Sequence, residues 1–339
     1  MALLEVRDLV THFQTDRGLV QAVNGVSFDL EVGKTLGVVG ESGSGKSVLS
    51  RSIMNLLPKR RVVRSGTVTF DGRVTTGMRP SESRSLYGTG MAMIFQDPMT
   101  SLNPVVKIGR QLTEGLRLHF DMDKKFAMDT AEELLRSVGI PEPRKRLNQY
   151  PFEMSGGMRQ RIVIAIALSC GPKVLFADEP TTALDVTVQK TILNLLAKLQ
   201  RERDMAMVLV THDLGVVAGR TDDIMVMYAG QAVEMAPTTK LFANMRHPYT
   251  EALLKSIPKI SDPSHTRLDS IPGRPPNLIT PPVGCRFAPR CPYADAKCHA
   301  ELPPLTPDPD DADHLFRCWK PVSISVSKPA SSQTLAGAH

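Results

Sequence analysis

Eight consecutive residues, Gly40-Glu-Ser-Gly-Ser-Gly45-Lys46-Ser47, carry the densest chemistry in this chain. They fit G-x-x-x-x-G-K-[ST], a loop whose backbone N–H groups cradle phosphates. Gly40, Gly43 and Gly45 let the backbone wrap closely around an anion, and Ser42 and Ser44 complete the cofactor-binding loop. Lys46 is placed to reach β- and γ-phosphates, and the Ser47 hydroxyl to sit on Mg²⁺. The preceding run TLGVV reads as a fully buried strand, and a helix opens near Ser47. The helix N-terminus adds partial positive charge where the phosphates would lie. A chance glycine loop would show neither flank.

A second acidic pair completes this chemistry. In Lys173-Val-Leu-Phe-Ala-Asp178-Glu179, four apolar residues predict a buried strand with two carboxylates at its C-terminal end. Open α/β sheets place ligands there. Asp178 is read as a Mg²⁺ holder through water, and Glu179 as the general base that polarises an attacking water. Alone, an apolar run ending in Asp-Glu is a solvated strand end; beside a phosphate loop it is half of a nucleotide site.

Met154-Ser155-Gly156-Gly157-Met158-Arg159-Gln160-Arg161 stands just before a helix and just before the Asp-Glu strand. This arrangement resembles the signature sequence of the ABC ATPases, usually written with leucine first and glutamine fifth; here Met154 and Met158 take those places. Ser155, Gly156 and Gly157 form a second phosphate nest at a helix N-terminus. The resemblance implies that this nest closes on ATP held by another ATPase subunit. Further motifs match in order. Gln96 resembles the residue that touches Mg²⁺ and the attacking water and couples to the membrane subunit. Ala183-Leu184-Asp185 resembles the loop crossing the dimer interface. His212 resembles the switch histidine at the γ-phosphate, and Phe13 stands where the family stacks an aromatic on adenine. Each of these residues alone would default to a structural role.

Positioning these groups requires a particular order of elements. LLEVRDLVTHF and VQAVNGVSFDL alternate as half-buried strands, and GTVTFDGRV reads as a hairpin. IGRQLTEGLRLHF and MDTAEELLRSVGI carry apolar residues at helical spacing. Thereafter strands and helices alternate: helix RIVIAIALS, strand KVLFAD, helix VTVQKTILNLLAKLQRER, strand MAMVLVTH and hairpin DIMVMYAGQAVEM. This predicts an α/β fold with a parallel sheet. With the resemblance, it becomes a P-loop NTPase (ABC ATPase) core with a helical subdomain, an antiparallel β subdomain and a loop-rich C-terminal extension. The core spans 1–97 and 156–240, the helical subdomain 98–155, the extension 241–322, and a disordered tail 323–339.

The extension holds Cys285-x5-Cys291-x6-Cys298-x19-Cys318, four of the five cysteines of the chain. Four thiolates can complete a tetrahedral Zn²⁺ site or hold a 4Fe-4S cluster. The absence of a two-residue spacing counts against a zinc ribbon, and unpaired cysteines in a loop-rich tail are the plain alternative. Cys170 follows an apolar helix and reads as an ordinary buried thiol. Arg246-His247-Pro248-Tyr249-Thr250, Ile271-Pro272-Gly273-Arg274-Pro275-Pro276 and the stretch from Cys285 to Tyr293 resemble the C-terminal extension of dipeptide, oligopeptide and nickel importer ATPases. In that group two ATPases pair, one with Ser-Gly-Gly-Met and one with Ser-Gly-Gly-Gln; Met158 matches the first. The resemblance implies an iron–sulfur cluster at the four cysteines, structural in role, with Zn²⁺ as the alternative.

Totals narrow the classes. Lysine and arginine number 41 against 35 acidic residues, a net charge of +6, and no basic run alternates with aromatics, so no nucleic-acid partner is expected. The apolar stretch Ile162–Leu168 is far short of the roughly 20 residues of a spanning helix. The start MALLEVRDLV has acidic Glu5 and Asp8 and is no secretory signal. The expected function is ATP hydrolysis powering import of di- or oligopeptides, or of nickel or another small solute, at the cytoplasmic face of the bacterial inner membrane. The implied partners are a second ABC ATPase in a heterodimer, two transmembrane permease subunits and an extracytoplasmic substrate-binding protein. Two other classes compete. A soluble non-transport ABC ATPase usually carries two cassettes or a coiled-coil insertion, and this chain has neither. A metal-binding regulator with an inactive nucleotide fold would not need Lys46, Asp178, Glu179 and His212 together.

Overall fold

The structure, a computed structural model, describes residues 2–58, 60–181, 185–257, 271–322 and 324–325. Ala183 and Leu184, and the expected tail apart from Ile324 and Ser325, lie outside them. In chain order the strands are β1 (Leu4–Thr15), β2 (Gly18–Leu30), β3 (Thr35–Val39), β4 (Val62–Phe70), β5 (Arg73–Val74), β6 (Met91–Ile94), β7 (Val174–Asp178), β8 (Ala206–Thr211), β9 (Asp223–Tyr228), β10 (Gln231–Pro237), β11 (Asn244–Met245), β12 (Thr306–Asp308), β13 (Asp311–Phe316) and β14 (Ile324–Ser325).

The main sheet has eight strands in the order β12-β13-β10-β9-β3-β8-β7-β6. Five of them, from β9 to β6, run parallel, in a register fixed by pairs such as Val38↔Val210, Val38↔Met225 and Asp178↔Val210. Strands covered on both faces need apolar residues at every position. Accordingly, every residue of β3, β7 and β8 is buried. The hairpin β9–β10 turns on Ala229 and Gly230, both at positive φ, as a two-residue turn between twisted strands demands.

A separate antiparallel sheet, β2-β1-β4-β5, lies over the helix Lys46–Ile53. Val6, Val26, Phe28, Val68 and Phe70 share one apolar core with Leu49, Ile53, Val38 and Phe176. The segment between β6 and β7 is helical. Ile108, Leu112 and Leu116 repeat every four residues along the helix Ile108–Phe120 and are all buried. Helix Lys124–Ser137 starts on Asp123, whose carboxylate accepts from the N–H groups of Lys125 and Phe126. Both helices share a second core with Ile162, Val163 and Leu168 of the helix Gly156–Leu168.

The extension is more ordered than the expectation of an irregular tail. Helices Thr238–Ala243, Pro248–Lys255 and Ala296–Ala300 lie within or just before it, and β12 and β13 extend the main sheet through β10. Leu241, Tyr249, Leu253 and Phe287 join the main apolar core, and a buried polar network braces the rest. Glu234, fully buried, accepts from the N–H groups of Arg246 at 2.6 Å and His247 at 3.0 Å and meets His314 Nε2 at 2.7 Å. Arg246 is ion-paired to the buried Asp308. Among the described residues, no helix is long and apolar enough to cross a membrane.

Candidate functional site

The loop from Gly40 to Ser47 joins the end of β3 to the helix Lys46–Ile53. Two of its glycines are sterically required. A Cβ on Gly40 would lie 2.1 Å from the Met227 carbonyl oxygen, and one on Gly45 would lie 2.1 Å from that of Ala22, where φ is also +102°. Strands β9 and β2 therefore press the loop into shape from two sides. Lys46, nearly fully buried, donates from Nζ to the carbonyl oxygens of Gly40 at 2.7 Å and Glu41 at 3.1 Å. Burial pulls its ammonium below the ordinary lysine range, and Glu179, Asp178 and Glu41 oppose that pull.

Asp178 and Glu179 sit at the C-terminal end of β7, as expected. Ser47 Oγ donates to Asp178 Oδ1 at 2.8 Å. Glu179 has φ +46°, a left-handed conformation uncommon for residues other than glycine, and its N–H donates to the Val210 carbonyl at 3.0 Å. That twist turns its carboxylate back toward the loop. Oε1 lies 3.8 Å from Lys46 Nζ, Gln96 Nε2 donates to Oε2 at 3.0 Å, and His212 Nδ1 faces the same oxygen at 3.4 Å. The contact with Glu179 raises the His212 pKa above the ordinary histidine value. One cleft of about 230 Å³ is lined by Ala22, Ser42, Gly43, Gly45, Lys46, Ser47, Val48, Gln96 and Glu179.

The oxygen groups in and just behind the wall of this cleft suit a hard divalent cation. Asp178 Oδ2 is buried without a hydrogen-bond partner among the described residues, while Oδ1 already adjoins the Ser47 hydroxyl. A carboxylate, a hydroxyl and the Gln96 amide oxygen are the donor types that Mg²⁺ takes together with water and phosphate. Burial raises the Asp178 carboxyl above its usual range, against the Ser47 hydrogen bond and the charge of Arg51. A cation against its free oxygen would reverse that cost.

Comparison with known proteins shows the family. The ABC transporter family model matches residues 23–182, and the model for the oligopeptide/dipeptide transporter C-terminal region matches residues 233–298. The oligopeptide transport ATP-binding protein OppD of Bacillus subtilis is 49% identical over 318 residues, covering 94% of this chain and 88% of that protein. The dipeptide transport ATP-binding protein DppD of the same organism is 48% identical over 94% of each chain. OppD of Escherichia coli is 48% identical over 95% of this chain and 94% of its own. The chain belongs to the ABC transporter ATP-binding family. Its fold agrees with the ATP-binding cassette MJ0796, solved as a dimer in a post-hydrolysis state bound to ADP and Pi. That match has TM-score 0.62 and 25% identity, and covers 69% of this chain and 98% of the other.

As an ABC ATPase, the chain hydrolyses ATP, ordinarily with Mg²⁺, and works with membrane permease partners. The remaining family motifs stand apart from the cleft. Ser155 caps the helix Gly156–Leu168, its Oγ accepting from the Met158 N–H at 3.4 Å; Ser155 and Gly156 are exposed, with Gly157 beside Val188. Asp185 caps the helix Val186–Glu202 through the Val188 N–H at 2.9 Å. Phe13 is half-buried on β1, paired with Val20 and Val62, and does not line the cleft.

Sequence reasoning missed Ala22 and Val48 on the cleft wall, which carry no motif. It also missed the grip on Glu41 described below. The four extension cysteines line one small cavity together with His247 and Trp319, and all are free of disulfides. Burial raises the pKa of Cys285 and Cys291, and that of Cys318 to about 12. Among the described residues, however, no three His, Cys, Asp or Glu side chains come together closely enough to hold a metal ion. The shared cavity is therefore chemically apt for a metal while its side-chain geometry is not.

Proposed function

We propose that this ABC ATPase powers the import of di- or oligopeptides. The observation that carries the reading is Glu179, on the wall of the phosphate-loop cleft, contacted by Lys46, Gln96 and His212, on a chain related over 94% of its length to dipeptide and oligopeptide transport ATP-binding proteins. The partners in this reading are a second ATPase of the Ser-Gly-Gly-Gln type, two permease subunits and an extracytoplasmic binding protein. The chain works at the cytoplasmic face of the bacterial inner membrane.

The residues divide the work as follows. Loop amides and Lys46 bind the β- and γ-phosphates of ATP. Ser47, Asp178 and Gln96 would hold Mg²⁺, which would supply charge neutralisation on the phosphates. Glu179 orients a water and takes its proton. Gln96 and His212 both engage the Glu179 oxygen that must accept this proton. A γ-phosphate entering beside them offers a competing acceptor, so binding ATP frees the base as it recruits the two donors. Ser155, Gly156 and Gly157 cover ATP held by the partner ATPase, and Asp185 lies on the same dimer face. Phe13 stacks on the adenine.

The four extension cysteines would be the ligands of a structural 4Fe-4S cluster, a reading supported by their common cavity and free thiols; since no three of them stand close enough to share a metal in the geometry above, binding would have to draw their side chains together. Replacing Cys291 and Cys298 with serine in the full chain removes the bound iron; iron content equal to that of the parent would refute the cluster.

The deciding experiment is ATP hydrolysis by the reconstituted complex, with binding protein loaded with peptide, loaded with a nickel chelate, or left empty. Stimulation by peptide alone supports peptide import. Stimulation by nickel alone keeps the mechanism and overturns the substrate. Hydrolysis indifferent to every ligand would reopen the non-transport alternative.

A further inference from the structure

Glu41, the second residue of the phosphate loop, is gripped through all of its polar groups. Its carbonyl accepts from Lys46 Nζ at 3.1 Å and from the Ser44 N–H at 3.2 Å, inside the loop. Its other groups are held from the C-terminal extension. The N–H donates to Tyr249 Oη at 2.8 Å, and the carboxylate takes both terminal nitrogens of Arg290, at 2.6 and 3.0 Å. The bidentate pair fixes orientation as well as distance.

Neither partner has freedom of its own. The Arg290 side chain is 3% exposed. Its Nε donates to the Pro272 carbonyl at 2.9 Å, Nη2 to that of Ile271 at 3.2 Å, and Nη1 to Tyr228 Oη at 3.2 Å. Tyr249 is fully buried, with its ring 4.6 Å from Tyr228 and 5.4 Å from Phe287. A second arginine of the same turn, Arg286, donates to the Ala229 carbonyl and to Gln21 Oε1. Gln21 precedes Ala22, whose carbonyl abuts Gly45. The extension thus grips one end of the phosphate loop directly at Glu41, and through Arg286 it also reaches β2 next to the residue that packs against the other end, both arginines coming from the turn between Cys285 and Cys291.

We propose that the C-terminal extension is a positioning element of the nucleotide site, acting through Arg290 and Tyr249 on Glu41 to set the affinity for ATP. This rests on the loop being the ATP site. Glu41 anchors the carbonyl that Lys46 contacts, so a loosened Glu41 misplaces both the ammonium and the loop amides. Neither Arg290 nor Tyr249 lines the cleft, so their effect on nucleotide is transmitted through the loop. The alternative is that the ion pair only fastens the extension to the core, and this would affect stability without affecting ATP.

The test compares the full chain with Arg290→Gln, Arg290→Lys, Glu41→Gln, the Arg290→Gln/Glu41→Gln double variant and Tyr249→Phe. Binding of a fluorescent ATP analogue, thermal unfolding, and KM and kcat in the reconstituted complex are measured for each. Arg290→Gln is expected to raise Kd and KM for ATP by about tenfold, with kcat falling less than KM rises. Arg290→Lys keeps the charge and one hydrogen bond and gives a smaller rise. The double variant binds no more weakly than either single variant, because both remove one interaction. Kd and KM within twofold of the parent in every variant would overturn the proposal, whatever the melting temperatures show. Should Arg290→Gln not fold, Arg290→Lys and Tyr249→Phe decide by the same criterion. Analogue binding that Lys46→Ala leaves unchanged would sink the ATP site itself, and this inference with it.

Discussion

The Ser47 hydroxyl donates to the Asp178 carboxylate at 2.8 Å, tying the phosphate loop to the end of β7 across 131 residues of chain. Asp178 is fully buried, and its second oxygen has no hydrogen-bond partner among the described residues. Burial raises its pKa, so the fold bears a cost for the carboxylate form. For an acid raised in this way, stability falls as pH rises from the unfolded value through the folded one. Asp178→Asn removes the charge and keeps the shape. It should melt no lower than the parent at pH 7, yet require at least about tenfold more Mg²⁺ for hydrolysis. Thermal unfolding and a Mg²⁺ titration check both halves. A variant that melts lower but keeps its Mg²⁺ dependence would make Asp178 structural only.

Glu179 combines a constrained backbone with a carboxylate that meets Lys46, Gln96 and His212. Glu179→Gln keeps the volume and removes the base. Turnover should fall by about 10²–10⁴-fold while ATP binding persists, because proton transfer to a positioned base contributes that much. Rapid-quench single turnover and nucleotide binding separate the two effects. Hydrolysis at the parent rate would assign the base elsewhere.

His212 titrates above the ordinary histidine value because of its contact with Glu179. A histidine raised in the folded state contributes stability that is fully present below its unfolded pKa, near 6.5, and is lost as pH rises through the higher folded value. The stability difference between the parent and His212→Gln should therefore be largest below about pH 6.5 and shrink on the alkaline side. The His212 side chain is 59% exposed, so solvent screening keeps the difference small. Urea unfolding at several pH values measures it. A difference that grows with pH would mean the contact does not favour the charged imidazole.

The groups visible in the sequence were those that local chain order makes adjacent. TLGVV before Gly40 and VLFAD up to Asp178 announced buried strands and placed the loop and the acidic pair at the same end of the sheet. What stayed hidden depends on distant partners. β12 and β13 lie in TPDPDDADHLF, where proline and aspartate mask alternation, and they are held by polar pairs such as Arg246–Asp308 and His314–Glu234. The Arg290–Glu41 pair spans 249 residues and leaves no periodic trace. The left-handed backbone at Glu179 is likewise invisible, because no glycine or asparagine stands there to mark it.

Gly43 and Gly45 share the phosphate loop and a positive φ, of 81° and 102°, but differ in the space around them. A Cβ on Gly43 meets nothing within 4 Å; one on Gly45 stands 2.1 Å from the Ala22 carbonyl oxygen, and Gly230 lies behind it at 3.5 Å. Gly43→Ala therefore carries conformational strain alone, about 1–2 kcal/mol. Gly45→Ala adds a clash between backbone atoms that no rotamer relieves, and must displace either β2 or the start of the helix that carries Lys46. Gly45→Ala should unfold at clearly lower temperature than Gly43→Ala. Its binding of a fluorescent ATP analogue should be lost, because Lys46 moves with the helix. Differential scanning calorimetry and analogue binding read the two consequences separately. If the two alanine variants melted together, the packing of Ala22 against the loop would not be what shapes the site.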